Sequence, residues 1–156
     1  MRKLIFFFTF ALLSVLHTGC SDARFYKKYQ DIPKIQWKRD NVLKYEVDIQ
    51  DSKPNYKLAL ALRYVTHIQI PEIKMVVDVV SPAGKKMQFN YAVRVKDDKG
   101  KYLGEVMGEM GDIESIVEPK FLFSETGKYQ FLITQATDAV DFGGIQEVGL
   151  VLYKDK

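Results

Sequence analysis

Cys20 is the one thiol in the chain, and a thiol can act as a nucleophile, bind a metal or accept an acyl group. Its surroundings narrow that choice. Met1-Arg2-Lys3 brings two positive charges, and the thirteen residues from Leu4 to Leu16 are apolar except for Thr9 and Ser14. Thr18 and Gly19 lead into the cysteine. A helix that crosses a bilayer needs about 20 apolar residues, so this run is too short to span one. It falls within the roughly 7–15 residues of a signal-peptide core. The charged start, the apolar core and the small-residue junction resemble a lipobox, where the thiol is acylated and the chain is cut just before it. Lipoboxes usually carry Leu three places ahead of the cysteine; here that place holds His17, with Leu16 one position further out. The other reading is an ordinary secretory signal that leaves a free thiol. A lone cysteine in an exported chain has no intramolecular disulfide partner, and acylation accounts for it. Cys20 is therefore expected to be the lipid-bearing N-terminus, with residues 1–19 as the export signal.

The remaining candidates for chemistry are weaker. His67 is the one histidine left after processing. A zinc site needs several nitrogen or sulfur ligands, and a Ser-His-Asp arrangement needs the imidazole beside a nucleophile. No Gly-x-Ser-x-Gly occurs, so His67 is expected at the surface or in a loop. Glu105, Glu109, Asp112 and Glu114 could supply oxygen to calcium, but their spacing fits no calcium loop and a solvated loop explains them. Asp97-Asp98 belongs to a turn. Gly100-Lys101-Tyr102-Leu103-Gly104 lacks the Lys-Ser/Thr ending of a phosphate loop. Paired carboxylates for glycoside hydrolysis need no fixed spacing, and nothing marks a particular pair. No catalytic residue, metal ligand or cofactor is expected. Phe25, Tyr26, Tyr29 and Trp37 could stack on sugars or cover an open end of the fold. For Trp37 a packing role is the better reading.

The elements that must position these groups read as strands. Processing leaves residues 20–156, enough for one domain that fills a core without disulfides. Losing Arg2 and Lys3 lowers the net charge from +3 to +1, which does not favour nucleic acid. Residues 21–41 are polar and without sustained period, and so read as a tether and lead-in. From Leu43 to Gln50 apolar and charged residues alternate strictly, the signature of a half-buried strand. Asp51-Ser52-Lys53-Pro54-Asn55 is a turn. Tyr56 to Thr66 follows as a strand, although its Leu and Ala would also suit a helix. Ile73 to Val80, Met87 to Val95, Phe121 to Phe123, Tyr129 to Gln135 and Glu147 to Tyr153 complete the pattern. Residues 104–119 read as a glycine-broken loop with a short strand near 113–117. About eight strands without a helix argue for an all-β antiparallel sandwich, jelly-roll-like or immunoglobulin-like, ahead of a barrel. The expected organisation is residues 1–19 as signal, 20–41 as lipidated lead-in and 42–156 as sandwich.

Taken in order, several segments resemble the GldH family of gliding-motility lipoproteins of Bacteroidetes-type bacteria. They are the signal ending at Cys20, the aromatic lead-in ending at Trp37, and Tyr56 to Arg63. Gly100 to Gly104, Gly127-Lys128-Tyr129-Gln130-Phe131 and Gly143 to Gly149 follow. Tyr102 stands where the family often has Trp, and Thr137 to Phe142 lacks an expected Met-Arg. The resemblance implies a non-enzymatic accessory lipoprotein, held at the outer membrane through lipid on Cys20 and facing the periplasm. Its implied partners are other envelope proteins of the gliding or secretion machinery. A carbohydrate-binding lipoprotein is the alternative, which needs Tyr26, Tyr29 or Trp37 exposed on a platform. An envelope hydrolase, with acids from 105–118 converging in a cleft, is the third.

Overall fold

The computed structural model describes residues 24–154. Strand patterning in the sequence becomes eleven strands: β1 (Arg24–Asp31), β2 (Gln36–Lys38), β3 (Leu43–Ile49), β4 (Tyr56–Val65), β5 (Glu72–Val80), β6 (Lys86–Arg94), β7 (Glu105–Met107), β8 (Met110–Phe121), β9 (Gly127–Gln135), β10 (Asp141–Gly143) and β11 (Ile145–Lys154). A single 3-10 turn, Pro33–Ile35, separates β1 from β2. The strands form a five-stranded sheet, β1-β11-β4-β8-β7, a four-stranded sheet, β3-β9-β5-β6, and a two-stranded ribbon, β10-β2. Every pairing is antiparallel.

The longer strands pair as nested hairpins: β1 with β11, β3 with β9, β4 with β8, β5 with β6. Successive nested pairs alternate between the sheets, and β11–β4 and β9–β5 contacts roll the hairpin closed. That winding is a jelly roll, which selects one of the two expected sandwich topologies over the immunoglobulin-like one. The sheets do not close into a barrel.

Strict alternation in β3 puts Leu43, Tyr45, Val47 and Ile49 inside and leaves Lys44, Glu46 and Asp48 in water. The Tyr45 hydroxyl, deep between the sheets, donates to the Val148 carbonyl at 2.8 Å. That bond satisfies a buried polar group and ties the four-stranded sheet to the five-stranded one. In β4 the helix-compatible Leu-Ala run is a strand buried on both faces. Leu58, Leu60 and Leu62 enter the core, while Ala59 and Ala61 are also buried and form a small outer cluster with Val151.

Two expectations change. Residues 24–41 are not a lead-in outside the sandwich: β1 pairs along β11, and β2 joins β10, so the sandwich begins at least as early as Arg24. As an edge strand, β1 leaves most of its side chains exposed, which erases apolar alternation. Residues 104–119 are not mainly loop either, since β8 runs twelve residues. Its inward positions include Gly111, where a Cβ would stand 2.6 Å from the Tyr64 ring. A glycine demanded by a neighbouring aromatic looks like a loop signal in sequence. Register shifts opposite Tyr56, Leu58 and Ala59 absorb Pro119 near the strand's end.

The strands run between two ends. At the base lie the start of β1, residues 50–55, 81–85 and 122–126, and Lys154. Behind them Tyr56, Phe123 and Tyr129 pack edge to face, with centroids 4.9 and 4.7 Å apart. At the top lie residues 32–42, 66–71, 95–109 and 136–144.

Candidate functional site

The top is built on the β2–β10 ribbon, which places Trp37 opposite Phe142. Trp37 is fully buried, and its indole N–H donates to the Asn41 carbonyl at 3.0 Å. It is the packing anchor expected of it. Gly144 follows β10 at φ +98°, where its N–H donates to the Ile35 carbonyl and its own carbonyl accepts from the Val65 N–H. A Cβ there would stand 2.5 Å from Ile68 Cγ2. The glycine thus permits both the left-handed turn and the close packing of Ile68.

Lys34 and Ile35 both sit at φ +56°. For a β-branched residue that conformation costs on the order of 1–3 kcal/mol. Hydrogen bonds from the Ile35 N–H to Ile32 and from Gly144 to the Ile35 carbonyl hold it in place. Beside this strained turn opens a groove of about 690 Å³ lined by Ile35, His67, Ile68, Ile70 and Phe142. A second, of about 380 Å³, lies between Ile70, Pro71, Thr137, Ala139 and Phe142, so Phe142 and Ile70 form walls of both.

The 136–140 loop is held rigidly from inside. Buried Gln135 accepts from the Thr137 N–H and hydroxyl at 2.9 and 2.7 Å, and donates to the carbonyls of Ala139 and Val140. Arg39 adds a 2.7 Å bond to the Thr137 carbonyl. The loop so braced presents Val140, 67% exposed, to solvent. Ile35, Val42, Leu103, Val106 and Met107 are also exposed at this end, Met107 at 87%. The loops behind them are tied together: Lys96 Nζ donates to the Ile68 carbonyl, and the Leu103 N–H to the Val95 carbonyl.

A second concave surface, about 940 Å³, covers the outer face of the five-stranded sheet. Here the Tyr29 ring lies on the sheet where a Cβ on Gly149 would approach it to 2.7 Å. Arg63 bonds Asp112 at 2.8 Å and lies 3.4 Å from Glu147. The hydrogen bond and charge of Asp112, then the charge of Glu147, raise the guanidinium pKa. Glu114 accepts from the Tyr153 hydroxyl and lies 3.7 Å from Lys27. Burial, then the bond and charge of Glu114, pushes Tyr153 up to about 12. Asp112, Glu114 and Glu147 are here matched with cations or a phenol, the pattern of a structural ion network, while Glu105 lines the rim of the same surface.

The residues singled out in the sequence are scattered by the fold. His67 is exposed in the turn after β4 and lines the first groove. Asp112 and Glu114 enter the ion network, whereas Glu109 offers its backbone carbonyl to the Thr66 N–H and hydroxyl. Among the described residues no three His, Cys, Asp or Glu side chains group as metal ligands. Trp37 is buried, Tyr26 is half-buried against the core, and Tyr29 lies on the opposite face of its strand from Tyr26. The three therefore share no platform; Tyr29 alone, 37% exposed, lies on the concave outer face of the five-stranded sheet. Cys20 lies outside the described residues. The two grooves were not anticipated: Ile68 and Ile70 come from the connection between β4 and β5 and Phe142 from β10, and their one advance trace is the pair Gly143-Gly144.

The chain is 26% identical over 149 residues to a protein of Christiangramia forsetii named gliding motility lipoprotein GldH homolog, covering 95% of this chain and 91% of the relative. Among solved structures, a family GH115 4-O-methyl-alpha-glucuronidase with specificity for decorated arabinogalactans aligns at TM-score 0.42. It is 11% identical, over 83% of this chain and 14% of that one. The carbohydrate-binding module TmCBM61, in complex with beta-1,4-galactotriose, aligns at TM-score 0.32 and 12% identity, over 83% of this chain and 88% of that one. The GldH lipoprotein family model matches residues 24–152, the span from the first paired strand almost to the end of the last. The chain belongs to the GldH lipoprotein family.

Proposed function

We propose that the protein is a lipid-anchored, non-enzymatic accessory of the gliding-associated envelope machinery, tethered through Cys20 at the outer membrane and facing the periplasm. It works by contact with other envelope proteins, and its contact surface is the top of the sandwich. The observation that carries this reading is the gathering of exposed apolar side chains there, Met107 and Val140 foremost. Scattered surface hydrophobics are ordinary, but several of them at the same end as two apolar-walled grooves favour a protein partner. Strain at Ile35 agrees with this, since sparsely populated backbone conformations cluster at clamps and switches.

The anchor is tested by intact-mass analysis of the chain extracted from membranes: acyl groups on a new N-terminal Cys20 are expected, and an unmodified thiol or another start site removes the anchor. The contact surface is tested in a gliding host with Met107→Asp plus Val140→Asp. Both side chains are largely exposed, so melting temperature and membrane association should hold while spreading on agar is lost. Normal spreading with the double variant as the only copy would remove the top as the contact surface.

A further inference from the structure

We propose that the base of the sandwich is a bilayer-facing surface that docks on anionic lipid headgroups, so that the top points away from the membrane. The proposal rests on the reading that Cys20 is acylated. It goes beyond that reading by giving the anchored domain an orientation and a second membrane contact.

The first argument is reach. β1 begins at Arg24, at the base, four residues after Cys20. At no more than about 3.6 Å per residue, those four residues extend roughly 14 Å. β4 spans the sandwich with ten residues, about 33 Å at strand rise. A lipid on Cys20 therefore keeps the base near the headgroups, while the top lies farther away than the tether can reach.

The second argument is charge. The turn from β3 to β4 brings Lys53 and Lys57, the turn from β5 to β6 brings Lys85 and Lys86, and the connection from β8 to β9 is flanked by Lys120 and Lys128. Arg24 and Lys154 add the strand ends that meet there. Lys53, Lys85, Lys86, Lys120 and Lys128 are exposed.

Among the described residues, the carboxylates at this end are engaged within the protein. Asp51 lies 3.3 Å from Lys154 and accepts from the Lys53 N–H. Glu125 accepts from the Ala83 N–H at 3.1 Å, and Glu118 from the Lys120 N–H at 3.2 Å. Asp48, one step up β3, faces Lys128 across the ladder and accepts from Gln50. The turns thus direct amines outward and tie the acids to the backbone. The top mixes signs, with Asp40, Asp138 and Asp141 exposed beside Lys34, Lys38 and Arg39. Each lysine close to an anionic surface attracts it by about a fivefold factor in partitioning, an effect that fades beyond a Debye length. Three separate turns at one end of the sandwich thus gather amines toward a sheet of headgroups. Leu122, exposed on the same connection, adds an apolar contact at the headgroup boundary.

The test uses the full-length acylated chain, with Cys20 acylation verified by mass, reconstituted into phosphatidylcholine vesicles with or without about 30% phosphatidylglycerol. A fluorophore is placed on Thr126→Cys at the base or Val140→Cys at the top, with an energy-transfer acceptor on the headgroups. Transfer from residue 126 should exceed that from residue 140, and the excess should grow with anionic lipid. It should shrink in about 0.5 M salt, or in a chain carrying Lys53→Glu, Lys85→Glu and Lys86→Glu. Equal transfer from the two sites, stronger transfer from the top, or indifference to both lipid charge and the lysine substitutions would overturn the proposal. Acylated Cys20 with no such asymmetry refutes the basal contact alone. Unmodified Cys20 refutes the anchor and the orientation together.

Discussion

The base and the top of this sandwich solve the same problem, closing a rolled sheet, in opposite ways. At the base short turns close over a nest of aromatic rings; Gly84, at positive φ, has no atom within 4 Å of where a Cβ would stand, and at Gly127 a Cβ would meet only the Pro82 ring, at 2.9 Å. At the top the closure is layered. A buried Trp, a two-stranded ribbon, a left-handed Ile and a glycine pressed against Ile68 all depend on one another. The relaxed end can vary its surface charge at little cost to the fold. The interlocked end holds a shape, and that is where grooves persist.

Removing the anchor of the interlocked end should have the largest effect. Trp37→Ala is expected to cost about 3–5 kcal/mol, read as a lowered urea midpoint; a loss under about 1 kcal/mol would mean the ribbon contributes little to stability.

The same small substitution at both ends sharpens the contrast. Gly84→Ala should cost about 1 kcal/mol, the price of a left-handed Ala. Gly144→Ala meets the Ile68 methyl as well and should cost about 2–3 kcal/mol. Equal melting temperatures for the two variants would show that the top yields as readily as the base.

The smallest effect concerns pH. Tyr153, near the base, is pushed up to about 12, first by burial and then by Glu114. Because the folded value lies above the ordinary phenolic value near 10, the folded state holds the proton longer, and this contribution is complete below about pH 10. It is lost as pH rises toward 12. Stability of the wild type should therefore fall more steeply between those pH values than that of Tyr153→Phe, and parallel curves would contradict the assignment.

Much of this architecture was readable from alternation. β3, β6 and β9 carry apolar residues on every second position, and the structure uses them that way. Reading failed where a neighbour, rather than water, dictated the residue. Gly111 yields to Tyr64, and β1 has only one strand beside it, so these segments looked like loop or tether. Cys20, on which the proposed anchor rests, lies outside the described residues, and the expectation for it comes from its flanks alone. The top could not be read in advance: its walls come from one loop and one short ribbon strand far apart in sequence, and only a closed fold brings Ile68, Ile70 and Phe142 together.

The pairing of β1 with β11 has a consequence in time. The first strand to emerge during synthesis or export must wait for the last before it gains its ladder of partners. All-β domains dominated by such distant contacts assemble over milliseconds to seconds. A chain wound this way stays pliable until its final strand has been delivered, and only then stiffens into its working form.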